Sequence, residues 1–387
     1  MDKFKKSFIE IIKSGLTGQM VKLDSDFDWT RAIEIGKRHN VIPLMYYGVV
    51  NSQLSISLQL EKYLESVTIK NVCVSNYQLY EIAGLCNEFN NNRINYMLLK
   101  GSVIKKLYPK PEMRPMGDAD ILVKPRQYRN IKKIMKKKGY NELYENDQIY
   151  AWEKKGILHI ELHKRLIPSY TRDFYKYYGD GWNYASLVSG NSFEMSIEDF
   201  YVFLFVHFVR HYRLGGIGIR HLTDLYVVAQ KNPLLDMEYI KQEFRKLNLY
   251  DFYQNVNDLI NTWFCDVQSN DIIDFITNKI FESGSYGTKH MHDVSRELWI
   301  SNTSNVKCRF LVRLFPPYSM MCRSYKILKK IPLLLPLFWV VRLIRASLFR
   351  KQNMISEYNN IKNISKTQIN KYKKELEFVG LDSNFKE

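Results

Sequence analysis

The chain of 387 residues has few cysteines and no long apolar run. Its five cysteines are widely scattered and include no C-x-x-C pair, so the sequence offers no zinc or redox motif and predicts a reducing, cytoplasmic setting. The longest apolar run, 331–341, contains two prolines and falls short of the roughly 17–25 residues that a membrane-spanning helix needs. The first residues, MDKFKKS, are charged and lead into no apolar core with a cleavage site, so no secretory signal is expected.

Acidic residues are absent from two long stretches. Residues 307–351 carry eleven basic side chains and residues 124–138 carry eight. The positive charge of these two stretches is slightly larger than the net charge of +17, so the rest of the chain is close to neutral. This distribution excludes a polycation whose charge is spread along the whole chain. With 45% hydrophobic and 14% aromatic residues, the sequence also excludes a disordered protein and predicts two or three folded units.

The hydrophobic pattern divides the chain into four regions. We expect an N-terminal helical region over 1–90, an α/β core over 91–166, a helical domain over 167–300 and a basic C-terminal helical region over 301–387. Within the core, strands are predicted at 96–99, 118–123, 150–152 and 157–163, and a helix begins at Pro125. The predicted fold class is therefore α+β, with the strands confined to the middle of the chain.

Two aspartates on one predicted strand are the first sign of chemistry. Asp118 and Asp120 are separated by one residue, so both side chains leave the same face of the sheet. Two carboxylates held this close repel each other unless a cation lies between them, and Mg²⁺ is a hard ion that takes oxygen ligands. Upstream, Gly101 and Ser102 follow a strand and open a helix, an arrangement that favours a phosphate. Taken alone, these residues also fit an exposed Asp-x-Asp beside a turn glycine.

A third carboxylate on a later strand strengthens the chemical interpretation. The two-residue period of a strand places His159, Glu161 and His163 on one face, so Glu161 can join the aspartates. Three converging carboxylates with a phosphate-binding turn are the groups that two-metal phosphoryl or nucleotidyl transfer requires. Glu161, with Asp120, would then activate the acceptor hydroxyl, either by binding the second metal or by taking the proton.

These residues lie in a run that resembles a known signature. Leu98-Leu-Lys-Gly-Ser, Leu107-Tyr-Pro and Arg114-Pro-Met-Gly-Asp-Ala-Asp-Ile-Leu-Val are similar to the nucleotidyltransferase superfamily, and more narrowly to a bacterial family of uncharacterised nucleotidyltransferases. The residues that match the superfamily pattern in order are Gly101, Ser102, Asp118, Asp120 and Glu161. The spacer 103–117 is long for the superfamily but resembles that of the narrower family. The similarity extends over roughly 25 to 345.

The resemblance implies a fold and an activity. The fold would be a DNA polymerase beta-like catalytic core with a small mixed sheet, flanked by helical regions. The activity would be metal-dependent transfer of an NMP from an NTP, with ATP expected, to a hydroxyl or phosphate of an acceptor, releasing pyrophosphate. The acceptor could be a small molecule, a saccharide, a peptide or a protein. Asp118, Asp120 and Glu161 would hold Mg²⁺ or Mn²⁺, while the nucleotide would be bound by Lys100, Gly101, Ser102 and Arg114.

Further polar residues are candidates for the cleft, each with a structural alternative. His207 and His211 have the i, i+4 spacing of metal ligands, but no third ligand is evident from the sequence. The pair either packs or hydrogen-bonds within its helix, lines the cleft or, as the minor alternative, binds zinc. Arg220 and Asp224 have the spacing of an intrahelical ion pair, although Arg220 could instead clamp a triphosphate. His163 would orient Glu161 or contact the acceptor.

The two basic stretches suggest different surfaces. The helix at 124–138 has its only aromatic residue, Tyr128, on the apolar face, so a solvated surface is expected rather than a nucleic-acid groove. Residues 307–351 would pack on the body or lie against the anionic inner face of a membrane, with packing favoured. A second hypothesis follows from these stretches: a non-catalytic module that binds polyanions or a membrane surface on a nucleotidyltransferase scaffold.

Overall fold

A computed structural model describes residues 1–156, 158–284, 287–300, 311, 314–349 and 364–382. Within these residues the chain forms sixteen helices and one seven-stranded mixed sheet, which confirms the predicted α+β class. Residues 301–310 and 350–363, part of the predicted C-terminal region, lie outside the described residues.

The sheet contains three more strands than the sequence predicted. Its strands are Tyr96–Leu98 (β1), Asp118–Val123 (β2), Asn141–Glu145 (β3), Ile149–Lys154 (β4), Leu158–His163 (β5), Ser186–Ser189 (β6) and Ser192–Glu194 (β7). They are arranged in the order β3-β4-β5-β2-β1-β7-β6. β2 pairs parallel with β5 and β1 pairs parallel with β7, while the other pairs are antiparallel. The expectation that strands end by residue 166 is wrong, because the β6–β7 hairpin joins the sheet beside β1.

Helices flank the sheet in sequence on both sides. Those before and within the strands are Lys3–Thr17 (α1), Trp29–His39 (α2), Ile42–Asn51 (α3), Leu58–Asn91 (α4), Gly101–Ile104 (α5), Tyr128–Lys137 (α6) and Arg172–Tyr178 (α7). Those that follow are Ile197–Arg213 (α8), Ile219–Lys231 (α9), Met237–Lys246 (α10), Tyr250–Phe264 (α11), Asp271–Ser283 (α12), Lys289–Ile300 (α13), Tyr318–Ser324 (α14), Leu335–Phe349 (α15) and Lys366–Phe378 (α16). Asp28 and Ser196 are the N-caps of α2 and α8, and each accepts a hydrogen bond from the backbone amide three residues on.

Side chains alternate between the two faces of β2 and β5, and the two faces pack into different hydrophobic cores. Ala119 and Ile121 on β2, with Ile160 on β5, pack in a cluster with apolar residues of α4 and α6. The opposite face of β2 contributes Leu122 to the larger core, which is built from α1–α3 and α8–α12. Asp118 and Asp120 share the side of Leu122, because side chains alternate along a strand. The carboxylates are therefore turned toward the helices that follow the sheet.

The C-terminal helices form two separate packing arrangements. α16 joins the main core, where Lys279 of α12 forms an ion pair with Glu375. α14 and α15 contribute to a small cluster of their own around Met321, Cys322 and Leu328. Each helix within the described residues is too short or too polar to cross a membrane.

Candidate active site

Three carboxylates from two neighbouring strands meet in one cavity. In the parallel register of β2 and β5, Asp118 lies opposite His159 and Asp120 lies opposite Glu161. Asp118, Asp120 and Glu161 all line a cavity of about 270 Å³. The predicted convergence of these side chains is thus present in the fold, whereas His159 is exposed and is not part of this lining.

Asp120 is the most strongly bonded of the three carboxylates. Its Oδ1 accepts hydrogen bonds from Lys100 Nζ and from His163 Nε2, each at 2.7 Å. His163 is buried and also lies 3.5 Å from Glu161 Oε2, so it bridges two carboxylates of the cavity. Both strong bonds fall on Oδ1, and Oδ2 makes no hydrogen bond to the described part of the chain. Asp120 is therefore held in a fixed orientation with one oxygen still available.

The electrostatics of the carboxylates follow from these contacts. Burial opposes ionisation of Asp120, but the Lys100 ammonium and the His163 hydrogen bond hold the pKa of that carboxyl below its usual range. Asp118 is open to solvent at the cavity mouth, yet the protein packed around its carboxyl raises the pKa, and the charge of Asp120 raises it further. For His163, burial lowers the pKa, but the hydrogen bonds to Asp120 and Glu161 more than offset this and raise it overall. The sheet side of the cavity thus carries three carboxylates, of which Asp120 is paired with Lys100.

The turn after β1 brings Lys100 into this arrangement. Lys100 has a positive φ of 42°, a conformation that is uncommon for a side-chain-bearing residue and that marks a constrained position. The next residue is a glycine, and any side chain at position 101 would clash with its neighbours. A Cβ atom there would lie 2.5 Å from Arg114 Nη1 and 3.0 Å from Met116 Sδ. Ser102 is fully buried, and its Oγ has no hydrogen-bond partner in the described residues.

Arg114 and Asp224 form a buried ion pair that joins the strand region to α9. Arg114 Nε and Nη2 donate to the two oxygens of Asp224 at 3.0 and 2.9 Å, and Tyr108 donates to the same carboxylate at 2.8 Å. The predicted intrahelical pair between Arg220 and Asp224 is therefore wrong, because Asp224 is bound from the core side. Arg220 instead donates to the carbonyl of Pro115 at 3.0 Å. Bidentate geometry of this kind fixes α9 against the segment between β1 and β2.

The wall opposite the carboxylates carries histidines and arginines. The cavity lining includes His207, Arg210 and His211 from α8, and Arg220 and His221 from α9. Nε atoms of both Arg210 and Arg220 are buried and have no hydrogen-bond partner in the described residues. The cavity therefore has one acidic wall on the sheet and one basic wall on the helices, as a site for a metal-bound polyphosphate requires.

Two residues of the basic wall were not predicted from the sequence. Arg210 and His221 were given no role, although both lie within one residue of a candidate in the sequence. Their place in the cavity depends on how α8 packs against α9, for which the local sequence carries no direct signal. His221 lies close to His207 and His211 and completes a group of three histidines, which the spacing of the first two could not reveal.

A larger cavity lies elsewhere but lacks comparable chemistry. About 550 Å³ in volume, it is enclosed by α12, α13 and α16. Two of its lining residues, Lys279 and Glu375, are paired with each other. The smaller cavity is the better candidate because the three carboxylates converge there.

The sequence of the chain is similar to that of a known protein family. The family model described as "Uncharacterised nucleotidyltransferase" matches residues 25–265, which is more than half of the chain and includes both walls of the cavity. Neither a curated protein nor a solved structure matches the chain at a significant level.

Proposed function

Because the chain belongs to this uncharacterised nucleotidyltransferase family, we propose that it moves an NMP from an NTP, with ATP expected, to a hydroxyl or phosphate of an acceptor. The acceptor oxygen would form a bond to the α-phosphorus of the NTP, and the bond from that phosphorus to the bridging oxygen would break, so that pyrophosphate leaves. The observation that carries this proposal is the cavity itself, where Asp118, Asp120 and Glu161 face a wall of arginines and histidines. We further propose that the sheet and its flanking helices form a polymerase-beta-like core.

The acidic wall fits a hard divalent cation. Its donors are carboxylate oxygens, the ligand type that Mg²⁺ and Mn²⁺ favour, and Asp120 keeps Oδ2 available while Oδ1 is held by Lys100 and His163. Asp118, Asp120 and Glu161 would hold Mg²⁺ or Mn²⁺. When bound, such an ion supplies positive charge at the reacting phosphate and lowers the pKa of a coordinated oxygen nucleophile.

The chain's own residues have separate roles in this proposal. Lys100 and His163 are positioning residues, because they fix Asp120 and are themselves turned toward it rather than toward solvent. Glu161, which is only half-buried, would activate the acceptor hydroxyl either by binding the second metal or by taking the proton. Arg210 and Arg220 would bind the triphosphate through guanidinium groups that have unpaired Nε atoms. The Gly101–Ser102 turn would contact the β- and γ-phosphates.

A label-transfer assay tests the proposal. The purified chain is incubated with α-³²P-labelled NTPs, Mg²⁺ and fractionated cell extract, and a parallel reaction contains γ-labelled ATP. We expect label from the α position, and none from the γ position, to enter an acceptor. Asp118→Asn and Asp120→Asn should abolish the transfer, whereas Glu194→Gln, an exposed carboxylate on the same sheet, should leave it intact. Transfer of γ-label, or transfer that survives both aspartate changes, would overturn the proposal.

The second candidate is a non-catalytic module that binds a polyanion or a membrane surface. It is favoured by the segment 307–351, which has no acidic residue and exposes Leu333 and Leu337. Salt-sensitive binding to anionic vesicles or nucleic acid that is unchanged in Asp118→Ala, together with no turnover, would support it. Nucleotide binding that requires Mg²⁺ and Asp118 would support the enzyme. The converging carboxylates favour the enzyme, because a binder of anions gains nothing from three negative charges in its cavity.

A further inference from the structure

Three histidines from two helices form a compact cluster in the basic wall. His207 and His211 lie one turn apart on α8, and their Nε2 atoms are 3.1 Å apart. His221 of α9 lies with its ring centroid 5.1 Å from that of His211 and 6.1 Å from that of His207. One potential ligand atom from each residue falls within 4.8 Å of the other two. The cluster is thus brought together by the packing of α8 against α9.

From this arrangement we propose that His207, His211 and His221 form a binding site for a transition-metal ion, with Zn²⁺ as the expected occupant. The site is chemically distinct from the carboxylate site on the sheet, because imidazole nitrogen suits Zn²⁺ and related ions whereas Mg²⁺ takes oxygen ligands. It is separate from the proposed nucleotidyl transfer, which does not require it.

The distances suit a shared metal. Zinc-to-imidazole bonds of about 2.0–2.1 Å place two ligand nitrogens about 2.9–3.4 Å apart for bond angles between octahedral and tetrahedral. The 3.1 Å between His207 and His211 already lies in this range. His221 needs only a modest ring movement, since the three candidate atoms are no more than 4.8 Å apart.

Two existing contacts must change when a metal binds. The first is the hydrogen bond between the Nε2 atoms of His207 and His211, in which one ring carries a proton that the metal would replace. The second involves His221. The backbone N–H of Gly218 donates to His221 Nδ1 at 3.4 Å, which leaves Nε2 for a metal. With Nε2 bound, the ring proton moves to Nδ1 and this contact is lost. Because 3.4 Å is long for an N–H···N hydrogen bond, its loss costs little.

The surroundings predict how the coordination would be completed. Three protein ligands leave a position open, as in catalytic zinc sites, and all three histidines line the cavity. Arg210 and Arg220 line the same wall and add positive charge. A phosphate oxygen in the open position would offset the charge of both the ion and the arginines. The site would therefore sit beside the nucleotide or a phosphorylated acceptor.

Cobalt binding tests the proposal without nucleotide, acceptor or activity. Co²⁺ is added to the full chain in the absence of Mg²⁺, and equilibrium dialysis and visible absorption are measured. We expect one Co²⁺ per chain that shows the absorption band of nitrogen-ligated Co²⁺ and is displaced by equimolar Zn²⁺, in addition to any Co²⁺ that the carboxylate site takes up without this band. Each of the single changes His207→Ala, His211→Ala and His221→Ala should weaken Co²⁺ binding by more than about tenfold. His290→Ala, which changes an exposed histidine on α13, and Asp118→Asn should both leave the absorption band of nitrogen-ligated Co²⁺ in place.

The opposite pattern would overturn the site. Binding that is lost in Asp118→Asn but kept in His221→Ala would assign the ion to the carboxylates, and no binding by the wild-type chain would reject the site outright. X-ray absorption of the zinc-loaded wild-type protein gives an answer even if the alanine variants fail to fold. A shell containing three imidazole nitrogens at about 2.0–2.1 Å is expected, and a shell of oxygens alone would contradict the proposal.

Discussion

At the residue scale, the candidate site depends on contacts between segments that are far apart in the chain: Lys100 binds Asp120, and Arg114 binds Asp224. Period two along β2 and β5 was sufficient to bring Asp118, Asp120 and Glu161 together. It could not show that Lys100 would turn back to Asp120, because that contact depends on a backbone conformation with positive φ. Likewise, the i, i+4 spacing of Arg220 and Asp224 was a poor guide, since a buried arginine from another segment competes for the same carboxylate.

Substitution of Gly101 tests whether this position needs glycine because of steric crowding or because of backbone flexibility. Gly101→Ala places a Cβ 2.5 Å from Arg114 Nη1, and that guanidinium cannot easily yield because it is bound to Asp224 by two hydrogen bonds. We expect a loss of about 1–3 kcal/mol in the free energy of unfolding, measured by urea denaturation. Gly117→Ala is the matched control, because its Cβ would meet nothing within 4 Å. Equal effects of the two changes would contradict the crowding argument.

The Arg114–Asp224 pair gives a second prediction. Arg114→Met leaves the Asp224 carboxylate buried with only Tyr108 and should cost about 3–5 kcal/mol in stability. The double variant Arg114→Met/Asp224→Leu removes both charges, so we expect it to be more stable than the sum of the single changes predicts. The exposed pair of Lys3 and Asp26 is the control, where Asp26→Asn should change stability very little. Additive single changes at 114 and 224 would show that the two charges are not coupled.

At the element scale, the sequence predicted the long helices and the buried strands but missed the short polar ones. β6 and β7 are a hairpin whose two-residue loop is Gly190-Asn191, a turn signal that was present in the sequence. The strands themselves are short and exposed, so their hydrophobic pattern is weak. What holds the hairpin is tertiary: Asn191 donates to Asn95 and Asn90, and β7 pairs with β1. Such contacts over about a hundred residues leave no local pattern.

The contact between α2 and α9 predicts an acid-sensitive stability. His39 is fully buried, and its Nδ1 accepts a hydrogen bond from the backbone N–H of Ile219 at 3.2 Å. Burial, and then the charge of Arg38, lower the pKa of His39 to about 4. The folded chain therefore favours the neutral ring, and this stabilisation is complete above about pH 6.5 and is lost as the pH falls toward 4, by about 3 kcal/mol.

Denaturant unfolding between pH 7 and pH 4.5 measures this effect. The free energy of unfolding of the wild type should fall over that range. In His39→Asn, which keeps an acceptor near Ile219, the fall should be smaller by about 2–3 kcal/mol. The remaining fall comes in part from the other buried histidines whose pKa is held low, His207, His211 and His221. His290→Asn is the control, since that histidine is exposed on α13 and should leave the pH dependence unchanged. An unaltered pH dependence in His39→Asn would show that His39 is not the group responsible.

At the scale of the whole molecule, the net charge of +17 comes from two basic stretches, 124–138 and 307–351, which have different surroundings. The lysines of α6 lie on a helix whose aromatic residue, Tyr128, stacks on Tyr150 with ring centroids 3.4 Å apart. That ring is therefore not available to stack on a base. The segment after α13 differs, because Leu333 is 90% exposed beside basic residues and no acidic residue lies between 307 and 351.

The second candidate function, in which the C-terminal segment contacts an anionic membrane surface, makes a prediction of its own. In flotation assays we expect the chain to rise with vesicles that contain phosphatidylglycerol, and to do so less as the salt concentration increases. Leu333→Asp/Leu337→Asp should reduce flotation, because it places negative charge on the exposed apolar residues. Leu234→Asp changes an equally exposed leucine outside the segment and should have no effect. Equal flotation with phosphatidylcholine alone would contradict an electrostatic contact.

The central claim is that the cavity between β2, β5 and the helices α8 and α9 binds the NTP for transfer. Its most direct test is a crystal structure with a non-hydrolysable ATP analogue and Mg²⁺. We predict that Mg²⁺ is bound by Asp118 and Asp120 and that the triphosphate lies between these carboxylates and Arg210 and Arg220. Density for the nucleotide in another cavity, or no density here at saturating concentrations of both ligands, would contradict the account.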